Sequence, residues 1–186
     1  MPQQFVPGTK IEYDGKKGMF SLFQPLIKAT DGLTLGQVCT ITGLEASTIQ
    51  NWVKRGFVAR PVNKKYRERQ LARILLISSL RDCMKIDNIG ELMKAVNGNA
   101  NDESDDIISE ERLYDMFCEI LSETDYRPND TNNIEEVVKK VTASSDITDK
   151  NAYKRLNTAL TVMVLTFIAS EYKRQADGFL EKLLEE

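Results

Sequence analysis

"TLGQVCTITGLEASTIQNWVKRG", residues 34–56, decides how this chain is read. Two short amphipathic segments meet at a glycine. In the first, Leu35, Val38, Cys39 and Ile41 share a face, Thr34 stands where a cap belongs, and Gly43 ends the run. In the second, over about 46–55, Ile49, Trp52 and Val53 lie on one side and Thr48, Gln50, Asn51 and Lys54 on the other, ahead of a stop at Gly56. Two such helices joined through a tight turn make a helix-turn-helix candidate.

Working outward, "FVARPVNKKY" (57–66) reads as two short extended pieces round a turn, because Pro61 is unwelcome inside a helix and holds the residue before it extended. A longer helix is expected over roughly 67–83, and a fourth, capped by Asp87 or Asn88, runs to about Val96. "NGNANDESDD" (97–106) is polar, acidic and aperiodic, which marks it as a linker. Three more helices follow. One carries Leu113, Phe117, Ile120 and Leu121 on one face, another Ile134, Val137, Val138 and Val141. The last starts near Thr148 and runs almost to the end, and its middle, "LNTALTVMVLTFIAS", is apolar nearly all round, as a helix buried between other helices or chains would be. Ahead of residue 33, Pro2, Pro7, Gly8, Gly15, Gly18 and Pro25 interrupt every periodic run, so irregular structure or short strands are expected there. "MFSLFQPLI" (19–27) is nevertheless apolar enough to dock on something. The expected division is an irregular segment at 1–32, a head at 33–98 and a helical dimerisation or effector domain at 107–186.

Charge follows the same division. The net −3 separates into +1 for residues 1–32 (four basic, three acidic), +6 for 33–98 (eleven and five) and −10 for 99–186 (ten and twenty). Residues 48–74 alone hold eight of the 25 Lys and Arg side chains against a single acid, Glu68. A basic module joined to an acidic one is the pattern of a polyanion-binding head with a different kind of tail. Histidine is absent, which removes the commonest catalytic base and metal ligand. The three cysteines, Cys39, Cys83 and Cys118, are odd in number and far apart, as expected of reduced, mostly buried thiols. With no secretory signal and no apolar run of about 18 residues, a cytoplasmic protein is expected. The pairs Asp105 and Asp106, Glu110 and Glu111, and Glu135 and Glu136 are read as exposed helix starts and loops rather than acid/base or metal sites. No enzyme, cofactor or metal is expected.

The stretch 33–96 resembles the DNA-binding domain of the MerR-type regulators, a winged helix-turn-helix. The family pattern of the recognition helix is carried by Thr48, Ile49, Gln50, Asn51, Trp52, Lys54, Arg55 and Gly56, the aromatic residue after the wing by Tyr66, and the following helix by Leu71 to Leu75. Val62, Asn63 and Lys64 replace the usual Gly-Tyr-Arg, Glu45 stands where a serine would cap, and Asn51 brings the segment close to the excisionase-like modules. The whole chain looks like a group of proteins from low-GC Gram-positive bacteria with a MerR-like head and an all-helical tail. The resemblance implies a mainly α fold, with a winged helix-turn-helix head, a small two-stranded wing and an all-α tail.

It also implies a sequence-specific DNA-binding transcription regulator, with a protein-interaction or excisionase-like architectural adaptor as the alternative. Lys54, Arg55, Arg60, Lys64, Lys65, Arg67, Arg69 and Arg73 occupy the elements that face the DNA backbone in that fold. Gln50, Asn51 and Lys54 are placed to reach base edges, with Thr48 beside them. Trp52 is expected to pack. Tyr66 either bonds a phosphate or lies under the wing. One recognition helix offers few base contacts, so a homodimer on double-stranded DNA is expected, and residues 1–98 alone should stay folded and become monomeric. No small-molecule effector is legible.

Overall fold

In the computed structural model, which describes residues 6–11, 19–124 and 131–185, a short 3-10 turn (Met19–Leu22) leads into α1 (Gln24–Thr30) and strand β1 (Leu33–Thr34). Two short helices, α2 (Leu35–Thr42) and α3 (Ala46–Lys54), come next, followed by β2 (Lys65–Tyr66), α4 (Glu68–Leu80) and α5 (Ile86–Asn97). Then come α6 (Glu110–Glu123), α7 (Thr131–Thr142) and the 36-residue α8 (Lys150–Glu185). The protein is mainly helical with one small antiparallel sheet. Among the described residues no helix is long and apolar enough to cross a membrane.

Local chemistry explains most of the boundaries. Thr34 accepts from the Gln37 amide while the Gln37 side chain accepts from the Thr34 amide, a reciprocal capping box that starts α2. Gly43, at φ 72°, ends it. Glu45, where a serine would cap, makes no side-chain bond to α3. Pro25 does not break α1; it sits in the first turn, where its missing amide costs nothing. Of residues 1–32, expected to be irregular or in short strands, 6–11 do run in turns and bends, 19–30 are helical over the 3-10 turn and α1, and 1–5 and 12–18 lie outside the described residues. "MFSLFQPLI" does dock: Phe20, Phe23 and Ile27 are buried, and the Phe20 amide donates to Asp115 Oδ1 at 2.8 Å.

The two-stranded sheet is not the wing hairpin that was expected. β1, just ahead of α2, pairs with β2, Leu33 opposite Tyr66 and Thr34 opposite Lys65, while the turn at 62–65 contributes one bridge between Val62 and Lys65.

The centre of the molecule is α4. Ten of its 13 residues are buried, among them Leu71, Ile74, Leu75 and Leu76 with no exposed surface. A helix apolar on every side needs cover on every side. α4 is covered by α2, β2 and α5 from the head and by α6 and α8 from the tail, so one hydrophobic cluster runs from Val6 to Ile168. The 97–106 stretch therefore joins two halves of one core. The middle of α8, by contrast, buries only one face, through Leu156, Leu160, Met163, Val164 and Ile168, against α4, α5, α6 and α7. Its apolar stripe is satisfied inside its own bundle.

The acidic pairs divide as well. Glu110, expected at an exposed helix start, is completely buried. Cys118 is buried and Cys39 partly so, but Cys83 is exposed.

Candidate nucleic-acid interface

α3 is fixed from its inner side. Ile49 and Trp52 are buried, and the Trp52 carbonyl accepts the Phe57 amide at 2.9 Å, turning the chain sharply after Gly56 at φ 77°. Trp52 packs, as expected. The outer face presents Gln50, Asn51 and Lys54 to solvent, with Thr48 half-buried.

From Pro61 the chain enters a two-residue turn. Val62 and Lys65 exchange backbone hydrogen bonds at 3.0 and 2.9 Å, and the corner residues Asn63 and Lys64 both have positive φ, 51° and 61°. That is the turn form whose twist suits a hairpin, and it normally takes Asn-Gly. A lysine at the second corner is strained, and its side chain is held out at the tip. Gln50 of α3 and Lys64 of the turn line one open hollow of about 340 Å³, together with Leu35, Val53, Pro61 and Tyr66. Helix face and turn tip therefore form a continuous surface.

The eight cations of the basic stretch have unequal partners. Lys54, Arg60 and Lys64 are exposed, and among the described residues no carboxylate pairs with them. Lys65 donates its ammonium to the carbonyl oxygens of Thr30 and Gly32 at 3.3 and 3.5 Å. Arg67 pairs with Asp31 at 3.0 Å. Arg55 pairs with Asp87, and its guanidinium lies 4.5 Å from the centre of the Phe57 ring. Those three stay at the surface with part of their charge already answered.

Arg69 and Arg73 correct the sequence reading outright. Arg69 forms a two-pronged bond to Asp106 at 2.7 and 3.2 Å. Arg73 is 3% exposed, donates to the Phe57 carbonyl at 2.7 Å and is ion-paired to Glu110. Burial pushes the Glu110 carboxyl up, against the pull of the Arg73 guanidinium beside it. Both arginines sit on the side of α4 that meets the tail, because a helix packed between the turn at 62–65 and the core can turn only part of its circumference outward. For Tyr66, read as bonding a phosphate or lying under the wing, the second alternative holds. Tyr66 is 3% exposed and burial raises its hydroxyl above the usual range, so the ring lies under the turn as packing.

The acids that answer these cations lie 32 to 37 residues away in sequence: Asp87, Asp31, Asp106 and Glu110. Nothing local in the sequence announces such pairs. What remains is an outward surface of two amides and three cations to which no described carboxylate is paired, chemistry that suits an anionic, hydrogen-bonding ligand. Among the described residues, no group of three or more His, Cys, Asp or Glu side chains is placed to hold a metal ion.

Residues 31–117 match a family described as a domain of unknown function (DUF1836). The match begins just before β1 and runs through the 97–106 stretch to Phe117, well inside α6. The chain is also similar to "Uncharacterized protein YkrK" of Bacillus subtilis (strain 168), 28% identical over 159 residues that cover 77% of this chain and 68% of the relative. No solved structure matches it.

Proposed function

We propose that this chain is a sequence-specific DNA-binding transcription regulator of the bacterial cytoplasm, acting as a homodimer on double-stranded DNA through a MerR-like winged helix-turn-helix. The observation that carries the reading is that, among the described residues, no carboxylate pairs with Lys54, Arg60 or Lys64, on the exposed rim of α3 and the turn, beside Gln50 and Asn51. The fold answers the other five cations of the stretch and leaves these. Cations without acids next to amide side chains on an outward helix are what phosphate and base-edge contacts require. Arg55, Lys65 and Arg67, at the border of the surface, add contacts on exchanging their present partners for phosphate.

The test is titration of the full chain with DNA from upstream of its own gene and with a random duplex, across a range of salt concentrations. A regulator prefers the upstream DNA and loses affinity steeply with salt, by about 0.9 in log-log slope for each phosphate contacted. A flat salt response or no preference over the random duplex ends the proposal. The adaptor reading draws on a different observation. The hollow beside Gln50 is lined by Leu35, Val53 and Pro61, an apolar floor that suits a protein side chain better than a phosphate. It takes over if the chain binds DNA without preference.

A further inference from the structure

The end of α8 leaves the body of the protein. Residues 152–170 bury one face, whereas beyond Ser170 nearly every position is exposed up to Glu185, about 22 Å of helix at 1.5 Å per residue. This arm is not polar. Phe179 is 72% exposed, Leu183 67% and Leu180 53%, large apolar groups that a solvated helix has no use for.

Their spacing is regular. Leu165, Ala169, Tyr172, Ala176, Phe179 and Leu183 follow one another at steps of four, three, four, three and four, the 3.5-residue seam of a coiled coil. All six are exposed, and Leu165 and Ala169 carry the same seam back onto the body of the protein. Gly178 lies inside the arm, where a side chain would have open space, and gives the helix no intrinsic support. The arm extends a helix already nucleated on the body, so what it lacks is not a start but cover for its apolar side chains.

The seam is complementary to itself when reversed. With a two-fold axis beside Arg174, Ala176 of one copy meets Tyr172 of the other, Ala169 meets Phe179, and Leu165 meets Leu183. Each aromatic ring then faces an alanine, and the two leucines face each other. Charge does not oppose the contact, because residues 171–177 hold two acids and two bases joined within the helix, Lys173 to Asp177 at 2.6 Å and Arg174 to Glu171. We propose that the projecting end of α8 is an antiparallel dimerisation arm whose partner is the same arm of a second copy. The dimer is the one that the DNA-binding reading asks for, but the arm rests on α8 alone and is tested without DNA.

Sedimentation equilibrium of the full chain is expected to show a dimer, and Phe179→Glu or Leu183→Glu to weaken self-association at least tenfold. Both substitutions lie outside the body, so its cooperative thermal transition, followed by circular dichroism, should be kept. The register is read by disulfide formation in a Cys83→Ser background, which removes the exposed native thiol. Ala169→Cys and Phe179→Cys chains mixed in equal amounts should cross-link to each other, identified by the mass of the linked peptide, while neither cross-links alone. A monomeric parent chain, or charged variants that still dimerise, overturns the proposal. Cross-linking of either variant with itself, or none in the mixture, overturns the antiparallel register. Loss of DNA binding with the dimer intact counts against the DNA-binding reading and leaves the arm standing.

Discussion

The face formed by α3 and the turn and the junction between α4 and α6 draw their cations from the same 27 residues and use them in opposite ways. At the junction, Arg69 and Arg73 meet Asp106 and Glu110 in a buried or nearly buried setting. On the face, Lys54, Arg60 and Lys64 meet water. A guanidinium taken out of water must be paired, since the cost of leaving it alone is several kcal/mol, whereas a lysine at a turn tip pays no such cost. Count of charge along a sequence therefore overstates the charge available to a ligand. Here, among the described residues, three of the eight cations have no carboxylate partner, three are partly answered at the surface and two are taken inside.

The largest effect that tests this contrast concerns the junction as a whole. Cutting the chain after Gly98 removes α6 and α8 from α4 and uncovers a helix buried on all sides. The fragment, expected from sequence to be an independent head, is now expected to lose its cooperative thermal transition; a fragment that melts sharply would show that the head covers α4 by itself. Next in size is the ion pair. Glu110→Ala leaves Arg73 buried and unpaired, and should destabilise the protein by about 3–5 kcal/mol in urea denaturation. Replacing both partners with apolar groups, Arg73→Met with Glu110→Leu, should recover much of that loss. If the single change costs less than about 1 kcal/mol, the pair is solvated after all.

Smaller effects belong to the face. Asn51→Ala should relax the preference at one or two base pairs by about 1–3 kcal/mol, read from sequences selected out of a random duplex library. An unchanged motif removes Asn51 from the contact surface. The adjacent lysines give the finest division. Lys64→Ala should weaken binding to all duplexes alike and lower the salt slope by about one phosphate contact. Lys65→Ala should change the slope less, because its ammonium already serves the carbonyls of Thr30 and Gly32. Equal slopes for the two variants would show that those backbone bonds give way to phosphate.

The elements themselves were legible because their causes are local. Thr34 with Gln37, Gly43 and Gly56 mark the ends of α2 and α3, and the alternation of Ile49 and Trp52 with Gln50 and Asn51 turns the outer face of α3 outward. The run of apolar residues in α4 likewise shows in the sequence, as does the position of the helices in the acidic half. What the sequence left open was which side each element would turn to its neighbours. The helix whose sequence asks for burial all round is α8, yet α4 is the enclosed one, and α8 buries one face of 152–170 and leaves Leu165 and, beyond the body, Phe179, Leu180 and Leu183 exposed. Periodicity reports how wide an apolar stripe is, not what covers it.

Pairing was undetermined for the same reason. Arg73 and Glu110 each look like surface residues within their own segments, and only the packing of α6 on α4 brings them together and seals them from water. Short-range rules thus determined the helices, their caps and the outward face of α3, because those depend on neighbours within about four residues. The tertiary structure alone decided which cations meet a carboxylate among the described residues, since those carboxylates lie more than thirty residues away.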